Sequence, residues 1–221
     1  MSLLYDAFGI RRVALEVNFW PGVEKFHTGE LSRLFGALNE DELFSTCELQ
    51  SETGALFGGE AWDYDLSTSG LLIRCSSFVT HQAMRERMRQ LLAGTRDTLS
   101  TKVAFFTDEI RVFGQVPEGG KRDVEKTVRK RLMSRGTDLS DLPGLEGAGL
   151  SLSGTNDVYH WHGDIESAGP DSLMLSGRVR FWPEPEPPRP GPDLDLIEKQ
   201  VELACEFVSD HLRNFTSKFI T

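Results

Sequence analysis

Apolar and polar residues alternate near the start of the chain. Val13, Leu15, Val17 and Phe19 are separated by residues that include Arg12, Glu16 and Asn18. A period of two predicts a half-buried strand, which Trp20-Pro21-Gly22 should end. The spacing then changes: Leu31, Leu34, Phe35 and Leu38 share one face of a predicted helix capped by Thr28. Three predicted strands follow at residues 44–50, 55–64 and 71–78. Their short connections favour antiparallel pairing. A second helix, capped by Thr80, should bury Met84, Met88, Leu91 and Leu92 while Arg85, Glu86 and Arg89 face elsewhere, with Gly94 near its end.

The same order then recurs. Ile110, Val112 and Val116 read as a strand, residues 121–134 as a helix carrying Val124, Val128, Leu132 and Met133, and residues 149–153, 157–166 and 173–181 as strands. At one offset Ala7, Phe8, Val13, Leu15, Phe19, Gly22, Leu31 and Phe35 fall on Ala104, Phe105, Ile110, Val112, Val116, Gly119, Val128 and Leu132. After one small insertion, Ser51, Thr53, Leu71 and Ile73 fall on Ser153, Thr155, Leu173 and Leu175. The expectation is an α+β chain with a tandem duplication of a β-α-β-β-β-α unit, its antiparallel sheets carrying helices on one face. The repeats would span residues 1–101 and 102–221. Residues 183–192, six of them proline, should form an extended connector into a terminal helix over 194–219.

That helix carries the sharpest local pattern. Asp195 followed by Glu198 predicts a capping arrangement at its start. Ile197, Val201, Ala204, Val208, Leu212, Phe215 and Phe219 recur at intervals of four and three, the narrow seam of a heptad pattern. The seam packs either on the protein's own sheet or across a two-fold axis, so Ile197, Val201, Val208, Leu212, Phe215 and Phe219 are the candidate partner-binding set.

Composition narrows the function classes. The chain has 221 residues, 39% hydrophobic and 26% charged, enough for one large core or two modest ones. Its formal net charge of -10 disfavours a protein that coats polyanions over most of its surface, leaving only local nucleic-acid contact. Cys47, Cys75 and Cys205 are widely spaced within apolar patterns and read as reduced core thiols. No run suits a signal peptide or a membrane span, so a cytoplasmic location without membrane contact is expected.

Candidate chemistry is sparse. On one strand His160, His162 and Asp164 would share a face, a donor set suited to zinc or another divalent ion; the alternative is a polar outer face. The aligned strand in the first half has no histidine pair, and its Glu60, Asp63 and Asp65 read as solvent-facing alternation. No Gly-x-Ser-x-Gly elbow occurs, and Cys75 reads as buried, so no catalytic residue and no cofactor are assigned. Lys121, Arg122, Lys126, Arg129 and Lys130 concentrate basic charge on one predicted helix and are candidate anion-binding residues; Arg85, Arg87 and Arg89 do likewise on another. A solvated or internally paired helix face is the alternative for both.

The strand from Val13 to Phe19, the strand from Ile110 to Val116 and the ending from Leu196 to Ile220 together resemble a sporadically distributed, poorly characterised prokaryotic family with two similar α+β halves and a long C-terminal helix. The resemblance implies a cytoplasmic microbial protein belonging to a larger system and carries no site residue with it. The functional expectation is a non-enzymatic recognition or assembly protein that acts through a protein partner or a second copy. A metal- or ligand-binding enzyme using the His160 strand and local nucleic-acid binding through residues 121–135 are the alternatives.

Overall fold

The computed structural model describes residues 9–76, 81–99, 104–116, 149–169, 172–182 and 193–220. The Thr80 cap, the basic segment 121–134 and the proline-rich stretch 183–192 lie outside these residues. The described chain is mixed α and β. Its strands are β1 (Gly9–Trp20), β2 (Thr46–Leu49), β3 (Gly54–Gly58), β4 (Trp62–Ser67), β5 (Gly70–Cys75), β6 (Ala104–Val116), β7 (Gly149–Thr155), β8 (Tyr159–Gly169) and β9 (Ser172–Phe181). Its helices are α1 (Thr28–Leu38), α2 (His81–Leu99) and a terminal helix made of α3 (Leu194–Glu206), a π-helical segment (Phe207–Leu212) and α4 (Arg213–Ile220). The strands follow the order β2-β3-β4-β5-β1-β6-β9-β8-β7 in one sheet.

Two compact units divide the chain. The first holds residues 12–110 and 180–203; the second holds residues 1–11, 111–179 and 204–221.

In the first unit, the antiparallel register sets the core. Leu15, Ile73, Tyr64 and Phe57 stand opposite one another on successive strands, as do Val17, Leu71, Leu66 and Ala55. Directly paired residues point to the same side, so both rows line one face, and all eight side chains are buried. Helix α1 adds Leu31, Leu34 and Leu38, and α2 adds Met84, Met88, Leu91 and Leu92. Phe35 meets the Phe57 ring edge-on at 5.1 Å, and the Tyr64 hydroxyl reaches Thr95 Oγ1 at 2.8 Å, which places both helices on that face.

Three local expectations change. The single strand expected over residues 55–64 is a hairpin of β3 and β4. Gly59 turns it so close to the Leu43 carbonyl that a Cβ there would overlap the backbone. Helix α1 starts one residue earlier than the Thr28 cap implied, with the His27 backbone N–H donating to Glu30 Oε2 at 3.0 Å. Cys47, on the short edge strand β2, is exposed, whereas Cys75 and Cys205 are buried.

The terminal helix is capped by Asp193 in place of Asp195: the Leu196 N–H donates to Asp193 Oδ1 at 3.0 Å. Asp195 and Glu198 instead receive Arg89 Nη1 at 2.6 and 3.0 Å, while Arg85 pairs with Glu202 at 3.0 Å. Asp193→Ala should therefore cost about 1 kcal/mol of stability, read as a lower urea midpoint. Asp195→Ala should cost less, because its side chain is 85% exposed and water replaces the lost ion pair.

In the second unit, β7 pairs antiparallel with β8. Small residues let the terminal helix approach the strands: a Cβ on Gly177 would stand 2.5 Å from Val208 Cγ2, and one on Gly163 would stand 3.1 Å from Leu212 Cδ1. Trp161 meets Phe207 at 5.1 Å on the same side. Ile165, Leu173, Leu175, Val179, Val208 and Leu212 are buried.

Candidate protein-recognition surface

Alternation leaves one sheet face of each unit turned away from these helices. In the second unit that face carries the histidine strand. His160, His162 and Asp164 of β8 stand opposite Thr155, Ser153 and Ser151 of β7, in that order. Ser151 Oγ lies 2.9 Å from His162 Nε2 and donates to Asp164 Oδ1 at 2.7 Å; Asp164 Oδ1 also lies 3.0 Å from His162 Nε2. Ser176 of β9 donates to Asp164 Oδ2 at 3.3 Å. Partial burial pushes the Asp164 carboxyl up, but the hydrogen bonds from Ser151, His162 and Ser176 and the imidazole's charge outweigh it and hold the group below the usual carboxylate range.

Serine, histidine and aspartate in contact suggest nucleophilic catalysis, but the connectivity is wrong for it. A relay needs the carboxylate on one imidazole nitrogen and the hydroxyl on the other. Here both oxygens converge on Nε2, so the carboxylate neither orients the ring against the serine nor leaves that nitrogen free to take its proton. His160 is engaged separately, with Thr155 Oγ1 3.2 Å from its Nδ1. Among the described residues no group of three or more His, Cys, Asp or Glu side chains is arranged to hold a metal ion. The segment is a hydrogen-bonded polar ladder.

The first unit's outward face is built differently. Register places Glu48 of β2 opposite Leu56 of β3, Leu56 opposite Asp65 of β4, Asp65 opposite Leu72 of β5, and Leu72 opposite Glu16 of β1. One row across five strands therefore alternates carboxylate and leucine. Glu48 is exposed and the other four are half-buried. In the next outward row Asp63 stands opposite Arg74. With strands about 4.8 Å apart, successive carboxylates of the first row recur roughly every 10 Å.

The candidate residues of the terminal helix are distributed unevenly. Ile197, Val201, Val208 and Leu212 are buried, together with Ala204. Phe215 is 41% exposed, and Thr216 is fully buried in its stead, its hydroxyl donating to the Leu212 carbonyl at 2.7 Å. The π-helical segment adds a residue to one turn, which slides the buried stripe one position along the sequence. The side chain of Phe219 lies outside the described residues, as do Lys121, Arg122, Lys126, Arg129 and Lys130. Arg85, Arg87 and Arg89 each meet a carboxylate of this chain, Arg87 reaching Asp41 at 2.8 Å. The carboxylate and leucine row was beyond sequence reasoning. Glu16, Glu48, Leu56 and Leu72 lie in predicted strands and Asp65 just beyond one, but their alignment depends on strand register, which for β1 and β5 no hairpin turn sets.

No protein-family model matches the chain, and no curated protein matches it. Among solved structures, the chain is similar to Methanococcus jannaschii TBP at 10% identity and a TM-score of 0.39, over 76% of this chain and 86% of that one.

Proposed function

We propose that the protein is a non-enzymatic recognition module that binds a basic, amphipathic helix of a protein partner on the outward face of its first unit. The observation that carries this reading is the row Glu48, Leu56, Asp65, Leu72 and Glu16, which offers charge and apolar surface in alternation. A helix lying across the strands advances 10.5 Å in seven residues, so Lys or Arg at i and i+7 meets successive carboxylates of the row, and an apolar residue between them meets a leucine. An extended chain is a poorer fit: its same-face residues recur at about 6.8 and 13.6 Å. A carboxylate-bearing face also repels phosphate, which favours a protein partner over nucleic acid.

The duplicated module remains part of this reading. It is supported by Val13 and Leu15 on β1 and Ile110 and Val112 on β6, all completely buried at positions the offset aligns. The first half carries one strand more than the expected unit, because residues 55–64 form two.

The test is fluorescence anisotropy with a labelled synthetic helix bearing Lys at seven-residue spacing and Leu between. Binding at low salt is expected, weakening as salt rises. The double variant Glu48→Lys, Asp65→Lys should lose at least ten-fold in affinity while keeping the wild-type circular dichroism spectrum. Undiminished binding by that folded variant, or no binding by the wild type at low salt, would sink the reading.

A further inference from the structure

The two ends of the sheet differ in how they are protected. Strand β2 ends the order on one side with only four residues; it includes Glu48, and Glu40, Asp41, Glu42 and Glu52 lie close to it in sequence. Short length and charge are the usual guards against strand addition. At the other end β7 has seven residues, Gly-Leu-Ser-Leu-Ser-Gly-Thr, with no charge and no proline. Among the described residues its one strand neighbour is β8. Among the described residues, alternate backbone N–H and C=O groups of β7 therefore face outward along an edge that no strand covers.

The side chains indicate what completes it. Leu150 and Leu152 lie on the helix-facing side of β7, since they stand opposite Ile165 and Gly163. On β9 the residues of that side, Leu173, Leu175 and Val179, are buried, but Leu150 and Leu152 are only half-buried. Among the described residues the apolar layer thus thins toward β7. The outward side of β7 carries Ser151, Ser153 and Thr155.

We infer that β7 pairs with β7 of a second copy of this chain, antiparallel and about a two-fold axis at Leu152. In that register Leu152 stands opposite its own copy, Leu150 opposite Gly154, and Ser151 opposite Ser153, so leucine meets leucine at the axis and hydroxyl meets hydroxyl on the outward side, with Gly149 opposite Thr155 at the two ends. Gly154 suits Leu150 as a neighbour, because its missing side chain leaves the Trp161 ring, 2.5 Å from where a Cβ would lie, to make the contact. The isologous pairing closes on itself, and the guarded β2 edge blocks head-to-tail growth. This inference is independent of the partner helix proposed above, whose row lies in the other unit.

Sedimentation of the full chain tests it. The wild type is expected at twice its 24.7 kDa. Leu152→Lys and Leu152→Asp, which place like charges opposite each other at the axis, should each sediment as monomers, and an equimolar mixture should regain the dimer mass. Rescue by mixing separates a lost interface from a misfolded chain, and binding of the lysine-bearing helix should persist in both variants. A monomeric wild type, or a dimer unaffected by either charge, would overturn the pairing.

Discussion

Replacing Gly177 with valine is expected to lower stability by roughly 3 kcal/mol, the upper end of what overpacking costs. The reason is local and geometric. A Cβ at this position stands 2.5 Å from Val208 Cγ2 and 3.0 Å from Phe207 Cδ1, and Val208 is completely buried in the π-helical segment. Relief would require the segment to move off the strand, giving up burial of Val208 and Leu212, which contribute about 1.5 to 3 kcal/mol each. Gly9→Ala is the matched control, since nothing lies within 4 Å of the added atom, and its urea midpoint should scarcely move. A Gly177→Val protein with wild-type stability would mean that the terminal helix does not seat on β9 as described.

Why some of this was legible in the chain and some was not comes down to the range of the interactions concerned. Strands β1, β5 and β9 and helices α1 and α2 announce themselves through periodicity, because each buries one face along its whole length: Val13, Leu15 and Val17 are fully buried, and so in effect are Met84, Leu91 and Leu92. The β3–β4 hairpin escaped because Gly58-Gly59 sits inside a run that otherwise reads as one strand. The requirement for glycine there is the Leu43 carbonyl, which belongs to a different segment. The terminal seam was legible as far as Leu212 and failed at Phe215, because the pattern assumed a constant helical pitch that the π-helical segment interrupts. Asp193 caps the helix in place of Asp195, two residues on, because the two offer the same chemistry and Arg89 on α2 claims the second. The candidate surfaces are a further step removed. The contacts among Ser151, His162 and Asp164, and the row from Glu48 to Glu16, exist only once register is set, and register is a property of strand pairs.

The first unit's core makes a pH-dependent prediction at Tyr64. This residue is completely buried, its ring stacked on Phe57 at 5.4 Å, and its hydroxyl meets Thr95 Oγ1 at 2.8 Å while Thr95 donates to the Leu91 carbonyl at 2.6 Å. Tyr64→Ala should cost about 3 to 5 kcal/mol, because the aromatic cluster of Phe35, Phe44 and Phe57 cannot close over the space left. Tyr64→Phe isolates the hydroxyl and should cost about 1 kcal/mol at neutral pH, since Thr95 retains the Leu91 carbonyl. Burial raises the phenol's pKa far above its ordinary value, the Thr95 hydrogen bond opposing this only in part. A group whose folded pKa is raised contributes stability that is complete below its unfolded pKa and declines as pH climbs from that value toward the folded one. Above about pH 10 the unfolded chain releases the Tyr64 proton while the folded chain retains it, so the wild type should lose about 1.4 kcal/mol per pH unit that Tyr64→Phe does not lose. The two urea midpoints should therefore converge above pH 10 and cross near pH 11. Curves that stay parallel throughout would show that the phenol reaches water in the folded protein.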